Sequence, residues 1–365
     1  MAELKAGVIG LGMGWGHLAG YMAHPDVVVA AVADASPERR ERAAREFPGR
    51  IGRIYDDGME MIRKEKLDIL SVAVPNVLHR TFTVAGLEAG ANVLCEKPMA
   101  MNAAEAEEML ETARRCKRKL GINFSYRFFP QSRAMKRLTD SGVLGEIYYA
   151  RSEWMRRDGI PQLPPDGFDA PGSAPGGWFF DKKQAGGGPL IDLGVHRLDL
   201  ALWLMGYPEP AWVMGGTYAK FGPARARSRG RTYSVEDMAC AMIRFANGAT
   251  LELDVSWAAH IRERELQTTR LIGTDGGLLQ RNVNEGYTYE LEWYRGDNGL
   301  PMDCRLHDPA PEAASAYALF ADAVRDGTEF LVRPEEGVTV MRILDAVYRS
   351  AETGRPVEMG SASRA

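Results

Sequence analysis

The chain has 365 residues, 45% of them apolar and 26% charged, which is an ordinary globular composition and enough length for two domains. Its 45 Lys and Arg against 49 Asp and Glu leave a formal charge of −4, so the charge balance points to neither a nucleic-acid nor an anionic membrane partner. No apolar run approaches the roughly 18 residues of a membrane span, no leader pattern precedes Ala6–Ile9, and Cys95, Cys116, Cys240 and Cys304 show neither metal-ligand nor redox-motif spacing; the expectation is a cytoplasmic protein with free thiols and no metal.

The first part of the chain alternates short β-rich runs with helical stretches, the pattern of βαβ units on a parallel sheet. Strands are expected at Gly7–Ile9, Val27–Ala33, Leu67–Val74, stopped by Pro75-Asn76, and Ala91–Cys95, stopped shortly afterwards by Pro98. Asn102 followed by Glu105 reads as a helix cap, with the helix running through Arg114 and Arg115. After about residue 143 the pattern changes. A strand is expected from Gly145, and Met238–Phe245 pairs with Thr250–Trp257 across Asn247-Gly248, a hairpin turn. These patterns predict an α/β protein: an N-terminal doubly wound Rossmann domain (1–124) and a C-terminal α+β domain (125–365) on an open, mainly antiparallel sheet. Residues 158–177, with five prolines and five glycines, read as a loop that either covers the site or is passive surface; Arg225, Arg227, Arg229 and Arg231 read as a solvated loop.

Gly10-Leu11-Gly12-Met13-Gly14-Trp15-Gly16 follows the first strand and precedes a helix, as a dinucleotide turn must. It departs from G-x-G-x-x-G because Trp15 stands at the sixth position. Asp34, 24 residues after Gly10 at the end of the second strand, is placed to accept the adenine-ribose hydroxyls, which favours NAD over NADP, with Arg39 and Arg40 nearby. Lys97, just past a parallel strand, lies at the carboxyl edge of the sheet, where such folds bind ligands. Downstream, Pro189 suits a first helical turn after Gly186-Gly187-Gly188, so Asp192 and His196, four apart, are expected to share a helix face with Asp199 and Trp203. A carboxylate one turn from an imidazole can orient it and raise its basicity. One surface of the second-domain sheet is expected to stay apolar and pair with a second copy as a homodimer or homotetramer.

Together these residues resemble the glucose-fructose oxidoreductase, inositol dehydrogenase and rhizopine-catabolism (Gfo/Idh/MocA) family over nearly the whole chain. The resemblance rests on the glycine turn with His17, Asp34, Pro75-Asn76 with His79, Glu96-Lys97-Pro98, Asn123–Arg127, Trp178–Asp199 and the closing stretch Ala346–Val357. It implies hydride transfer between a nicotinamide and a secondary alcohol or ketone of a sugar, polyol or inositol-like cyclitol. It also implies cofactor contacts from Gly10, Gly12, Met13, Gly14, Asp34, Pro75, Asn76, His79, Glu96 and Lys97, and catalysis by Lys97, Asp192 and His196. His196 would take the hydroxyl proton, Lys97 would polarise the same oxygen, and Asp192 would fix His196 or grip a neighbouring hydroxyl. Tyr126, Arg127, Arg156 and Trp178 would line the substrate pocket with Asp192 and His196. An imine or conjugated-ring reductase and a non-catalytic NAD-bound sensor share this cofactor fold; the lysine, aspartate and histidine together argue against the sensor.

Overall fold

A computed structural model describes residues 3–160, 177–228, 232–306 and 315–360. Most of the expected 158–177 loop, with Arg229 and Arg231, lies outside the described residues. Six strands form the first sheet: β1 (Leu4–Ile9), β2 (Val27–Ala33), β3 (Ile51–Tyr55), β4 (Ile69–Val72), β5 (Asn92–Glu96) and β6 (Leu120–Asn123). All pair in parallel in the order β3-β2-β1-β4-β5-β6. Strand order reverses between β1 and β4, the place where a doubly wound sheet opens a ligand crevice at its carboxyl edge. Asn102 Oδ1 accepts the Glu105 amide at 3.0 Å and opens the helix Ala103–Cys116, as its sequence predicts. β3 (Ile-Gly-Arg-Ile-Tyr) and β6 (Leu-Gly-Ile-Asn), whose apolar runs are broken by glycine and polar residues, complete the sheet.

The second sheet has nine strands: β7 (Ile147–Arg156), β8 (Pro210–Tyr218), β9 (Met238–Phe245), β10 (Thr250–Ser256), β11 (Glu265–Gly273), β12 (Gly276–Val283), β13 (Thr288–Asp297), β14 (Leu300–Arg305) and β15 (Val357–Glu358). Their order is β14-β13-β12-β11-β7-β10-β9-β8-β15, with β7 and β10 the parallel pair. The β9–β10 hairpin forms one residue out of the expected register: Arg244, not Phe245, stands opposite Thr250, and the Phe245 carbonyl accepts from Gly248 at 3.0 Å. Only Gly248 takes positive φ, at +87°, so the connection is a three-residue loop closed by one left-handed residue.

Period-two burial divides the sheet. Ala150, Ser152 and Trp154 of β7, with Leu251, Leu253 and Val255 of β10, face inward onto the helix Val195–Leu204, every residue of which is buried. The other surface departs from the apolar expectation. It carries Arg151 paired with Asp254 at 2.9 Å and Tyr149 donating to Glu252 at 2.8 Å, while exposed Met214, Tyr218 and Met242 gather on β8 and β9. Charged and polar pairs thus cover the β7–β10 part of this face, and its apolar part is confined to the β8–β9 end.

After the second sheet's long strands the chain returns to the first domain before its last helix and β15. Tyr317, in the helix Ala316–Asp326, lies against Gly16 and Gly20 of the helix Gly14–Met22, where a Cβ on Gly20 would overlap its ring, and stacks 4.4 Å from His17. The four cysteines are free. Among the described residues no helix is long and apolar enough to cross a membrane, and no His, Cys, Asp and Glu cluster could hold a metal.

Candidate active site

The glycine turn resolves the irregular spacing of its motif. Gly10 adopts φ +87° at the end of β1, where a Cβ would overlap the Ala73 carbonyl. Gly14 begins the helix and packs on β1 and β4, a Cβ there coming within 2.9 Å of Val8 and 3.2 Å of Ala73. The close-packing role of the motif's third glycine is therefore filled one residue early, and the mismatch at Trp15 leaves the turn intact. Gly12 and the exposed Met13 stand between them, at a helix start with no side-chain cap and hence free amides for an anionic group. Asp34, at the end of β2, accepts the Leu11 amide at 2.6 Å and the Ser36 amide at 2.8 Å, with Arg39 at 3.5 Å. An open glycine cradle, uncapped amides and a carboxylate beyond β2 fit a dinucleotide.

Below this turn lies a buried polar network. Glu96, the last residue of β5, accepts from His17 at 2.8 Å and Asn123 at 2.7 Å, and from the Lys97 amide at 3.2 Å. Burial pushes its carboxyl up, but the His17 and Asn123 hydrogen bonds and the His17 and Lys97 charges prevail and hold it below the ordinary carboxylate range. The two nitrogens of His79 sit 2.7 and 2.9 Å from the carbonyls of Pro98 and Val74; burial keeps this imidazole below its usual pKa although both carbonyls favour the proton. The 3-10 turn Asn76–Leu78 follows Pro75, and Asn76 Nδ2 donates to the Ala185 carbonyl at 2.8 Å, tying the first domain to the short helix Lys182–Ala185 before the glycine triplet. Glu96 and His79 face the cavity with their hydrogen-bonding groups engaged by protein, so they shape the floor, while Asn76 keeps its amide oxygen toward it.

The glycine triplet is a packing requirement. Gly186 has φ +84°, and a Cβ on Gly187 or Gly188 would overlap Tyr348 or the Glu236 backbone. The buried carboxylate of Glu236 accepts the Gly188 and Leu190 amides at 2.9 and 3.0 Å, capping the next helical segment from a distant loop. That segment, Leu190–Gly194, is a π-helical turn.

The expected Asp192–His196 bond is not formed. Asp192 Oδ1 instead lies 3.1 Å from Lys97 Nζ, which also donates to the Asp192 carbonyl at 3.0 Å, and Asp192 Oδ2 accepts from Trp257 Nε1 at 3.0 Å. His196 Nδ1 is buried without a partner, which leaves Nε2 as the nitrogen the cavity can reach. Burial, then the charges of Lys97 and Arg197, hold His196 well below the usual imidazole pKa, so it is a free base at neutral pH.

Lys97, Asp192 and His196 meet in one cavity of about 360 Å³ whose wall includes Tyr126, Phe129, Trp154, Trp178, Phe179 and Tyr287. A larger cleft, about 770 Å³ beside Arg342 and Asp345, lies away from these groups. Two expected lining residues stand elsewhere. Arg127 is fully buried, held by Asp199 at 2.6 and 3.0 Å and by Glu336 at 2.7 Å, because a guanidinium without water requires carboxylates on each edge. Arg156 stands behind the wall, 3.1 Å from Glu265 and 3.2 Å from the Tyr287 hydroxyl, with its charge over the Trp154 ring. Trp257, Glu236, Trp154 and Tyr287 escape the sequence reading; the only signal for them is aromatic or acidic residues at strand ends.

A doubly wound sheet with a dinucleotide turn, joined at its carboxyl edge to lysine, carboxylate and imidazole, defines a nicotinamide-dependent dehydrogenase. Residues 4–124 match the oxidoreductase family with NAD-binding Rossmann fold, and 132–279 match the GFO/IDH/MocA C-terminal domain. D-glucoside 3-dehydrogenase of Escherichia coli K12 is 30% identical over 98% of each chain. Levoglucosan dehydrogenase of Pseudarthrobacter phenanthrenivorans is 29% identical over 76% of this chain and 74% of its own. A solved levoglucosan dehydrogenase with NADH and L-sorbose superposes with a TM-score of 0.82 at 25% identity, over 98% of this chain and 99% of that one. The chain belongs to the GFO/IDH/MocA oxidoreductase family.

Because Arg127 serves the core and not the pocket, Asp199→Ala, which leaves a buried guanidinium half-paired, will cost about 3 kcal/mol or more of stability in urea denaturation. NAD affinity of the folded fraction will stay unchanged.

Proposed function

We propose that the protein oxidises a secondary alcohol of a sugar, polyol or cyclitol with NAD, and reduces the ketone in reverse. The observation that carries this reading is the convergence of Lys97, Asp192 and His196, from two domains, on one cavity at the carboxyl edge of the parallel sheet. The activities named for the relatives, on a glucoside and on levoglucosan, support a carbohydrate.

Bound nicotinamide supplies the hydride acceptor. His196 Nε2, already unprotonated, takes the hydroxyl proton as the carbinol carbon becomes a carbonyl. Lys97 donates to the same oxygen and stabilises its growing negative charge. Asp192, held by Trp257, sets the Lys97 ammonium in place, and this replaces the expected orientation of the imidazole. Lys97→Ala and His196→Ala will each lower the oxidation rate by about 100-fold or more with NAD affinity little changed; Asp192→Asn, which keeps an oxygen toward Lys97, will lose less. Since the active form of His196 is the free base and its pKa lies below the ordinary 6.5, kcat/KM for oxidation will hold as pH falls to 6.5 and decline only below it. Near-normal turnover in either alanine variant removes that residue from the mechanism.

Asp34 supports NAD over NADP, because a carboxylate meets the ribose hydroxyls with acceptors and repels a 2′-phosphate. In fluorescence titration the intact protein will bind NAD more tightly, and Asp34→Ala will weaken NAD and narrow the gap; a native preference for NADP overturns the assignment.

The uncovered surface of the nine-stranded sheet, with Met214, Tyr218 and Met242 exposed at one end, supports a homodimer or homotetramer in which a second copy covers that surface. Light scattering at micromolar concentration will give the mass of an oligomer; a monomer overturns it.

A further inference from the structure

Two arginines are fully buried at the helix Val195–Leu204, and their charges are met in opposite ways. Arg127 is closed between Asp199 and Glu336, which cancel its charge where it lies. Arg197, on the helix itself, meets no carboxylate among the described residues. Its Nη2 donates to the Gln267 amide oxygen and, at 3.3 Å, to the Tyr289 hydroxyl, while Nε and Nη1 have no partner. Aromatic rings take the place of a counter-charge: the guanidinium lies 4.6 Å from the Tyr126 centroid, 5.2 Å from Trp154 and 5.7 Å from Tyr289. Glu265 stands one side chain further off, accepting from Gln267 Nε2 at 3.2 Å and already held by Trp154 and Arg156. Burying a cation without a carboxylate is costly, and its field reaches further than that of a paired one.

That field falls on His196. Tyr126 and Trp154 touch both groups, the imidazole lying 5.1 and 6.1 Å from the same two rings. The other charged groups around it are balanced. Asp192 of the π turn pairs with Lys97 at the end of β5, Glu96 is held by His17, and Arg156 of β7 is matched by Glu265. His79 lies between two carbonyls, and burial keeps the Tyr126 and Tyr287 hydroxyls protonated. Lys97 and Arg197 are the cations that oppose a proton on His196, and of the two only Arg197 lacks a carboxylate against it.

We propose that Arg197 is a positioning residue for catalysis: an unpaired cation behind the Tyr126 and Trp154 wall whose field holds His196 as a free base. Once His196 has taken the hydroxyl proton of the substrate, the same field drives that proton on to water and resets the base. This rests on the dehydrogenase reading above.

The test follows the imidazole carbons of histidine-labelled protein by NMR as the pH is lowered, with the His196 signal assigned by its loss in His196→Gln. Wild-type His196 will stay neutral until the pH is below 6.5. In Arg197→Met the midpoint will rise by about one pH unit, the scale of a unit charge several ångströms away in a partly shielded medium. In Arg197→Lys, which restores a cation, it will stay near the wild-type value. A second variant brings a counter-charge in and leaves the cation in place: the exchange of Gln267→Glu with Glu265→Gln sets a carboxylate against Arg197 while keeping both side-chain shapes, and it will raise the midpoint likewise. The acid limb of kcat/KM for oxidation, read by NADH absorbance, will move with the midpoint in each protein. A wild-type midpoint at or above 6.5 overturns the proposal. So does a midpoint unmoved in Arg197→Met, or in the exchange if Arg197→Met does not fold, and so does an Arg197→Lys midpoint that moves as far as that of Arg197→Met. Failure of the wild type to oxidise any sugar or polyol with either nicotinamide dinucleotide overturns the dehydrogenase reading instead, and the NMR midpoints then report the field of Arg197 alone.

Discussion

Lys97 and Asp192 come from different domains, one from the end of a parallel strand and the other from a π-helical turn, and their 3.1 Å ion pair is the contact around which the site is arranged. Both side chains are mostly shielded, at 17% and 18% exposure, so the pair escapes much of the screening that makes surface ion pairs nearly neutral in energy. Each partner is braced from behind. Trp257 donates to the carboxylate, and the Lys97 amide donates to Glu96, which is locked to His17 and Asn123. A shift of one domain against the other would pull the ion pair apart while each brace stayed whole within its own domain.

The π turn exists because several constraints converge on it. Glu236 caps its first amides, and the glycine triplet allows Tyr348 and the Glu236 backbone to approach without Cβ atoms in the way. Asp192 reaches the ammonium from this turn. Its carboxylate holds a cation, while His196, not bonded to it, is kept neutral by burial and by the charges of Lys97 and Arg197.

Much of this is legible in the sequence wherever chemistry is local. The β-branched run Val27–Ala33, the Asn102 cap and Gly248 each satisfy a requirement within a few residues, and the structure places them as read. Lys97, Asp192 and His196 are legible through spacing beside strand ends. What periodicity misses depends on partners far along the chain. Arg127 reads as a pocket cation until Asp199 and Glu336 close on it. The Asp192–His196 spacing of four puts both on one side of a helix but does not say which partner each takes, and Asp192 turns to Lys97 and Trp257. Glu236, Trp257 and Tyr287 carry no local signature, because their roles arise from approach in space.

The notch at Gly16 and Gly20, filled by Tyr317, has a consequence for the order of assembly. The nucleotide-binding strands are complete by Asn123, yet the helix that presents the pyrophosphate turn buries its outer side only against a ring nearly two hundred residues later. During synthesis the first domain can form its sheet while a groove along that helix stays open to water. Tyr317 seals it, so that the cofactor platform reaches its final packing only after most of the second sheet has been made.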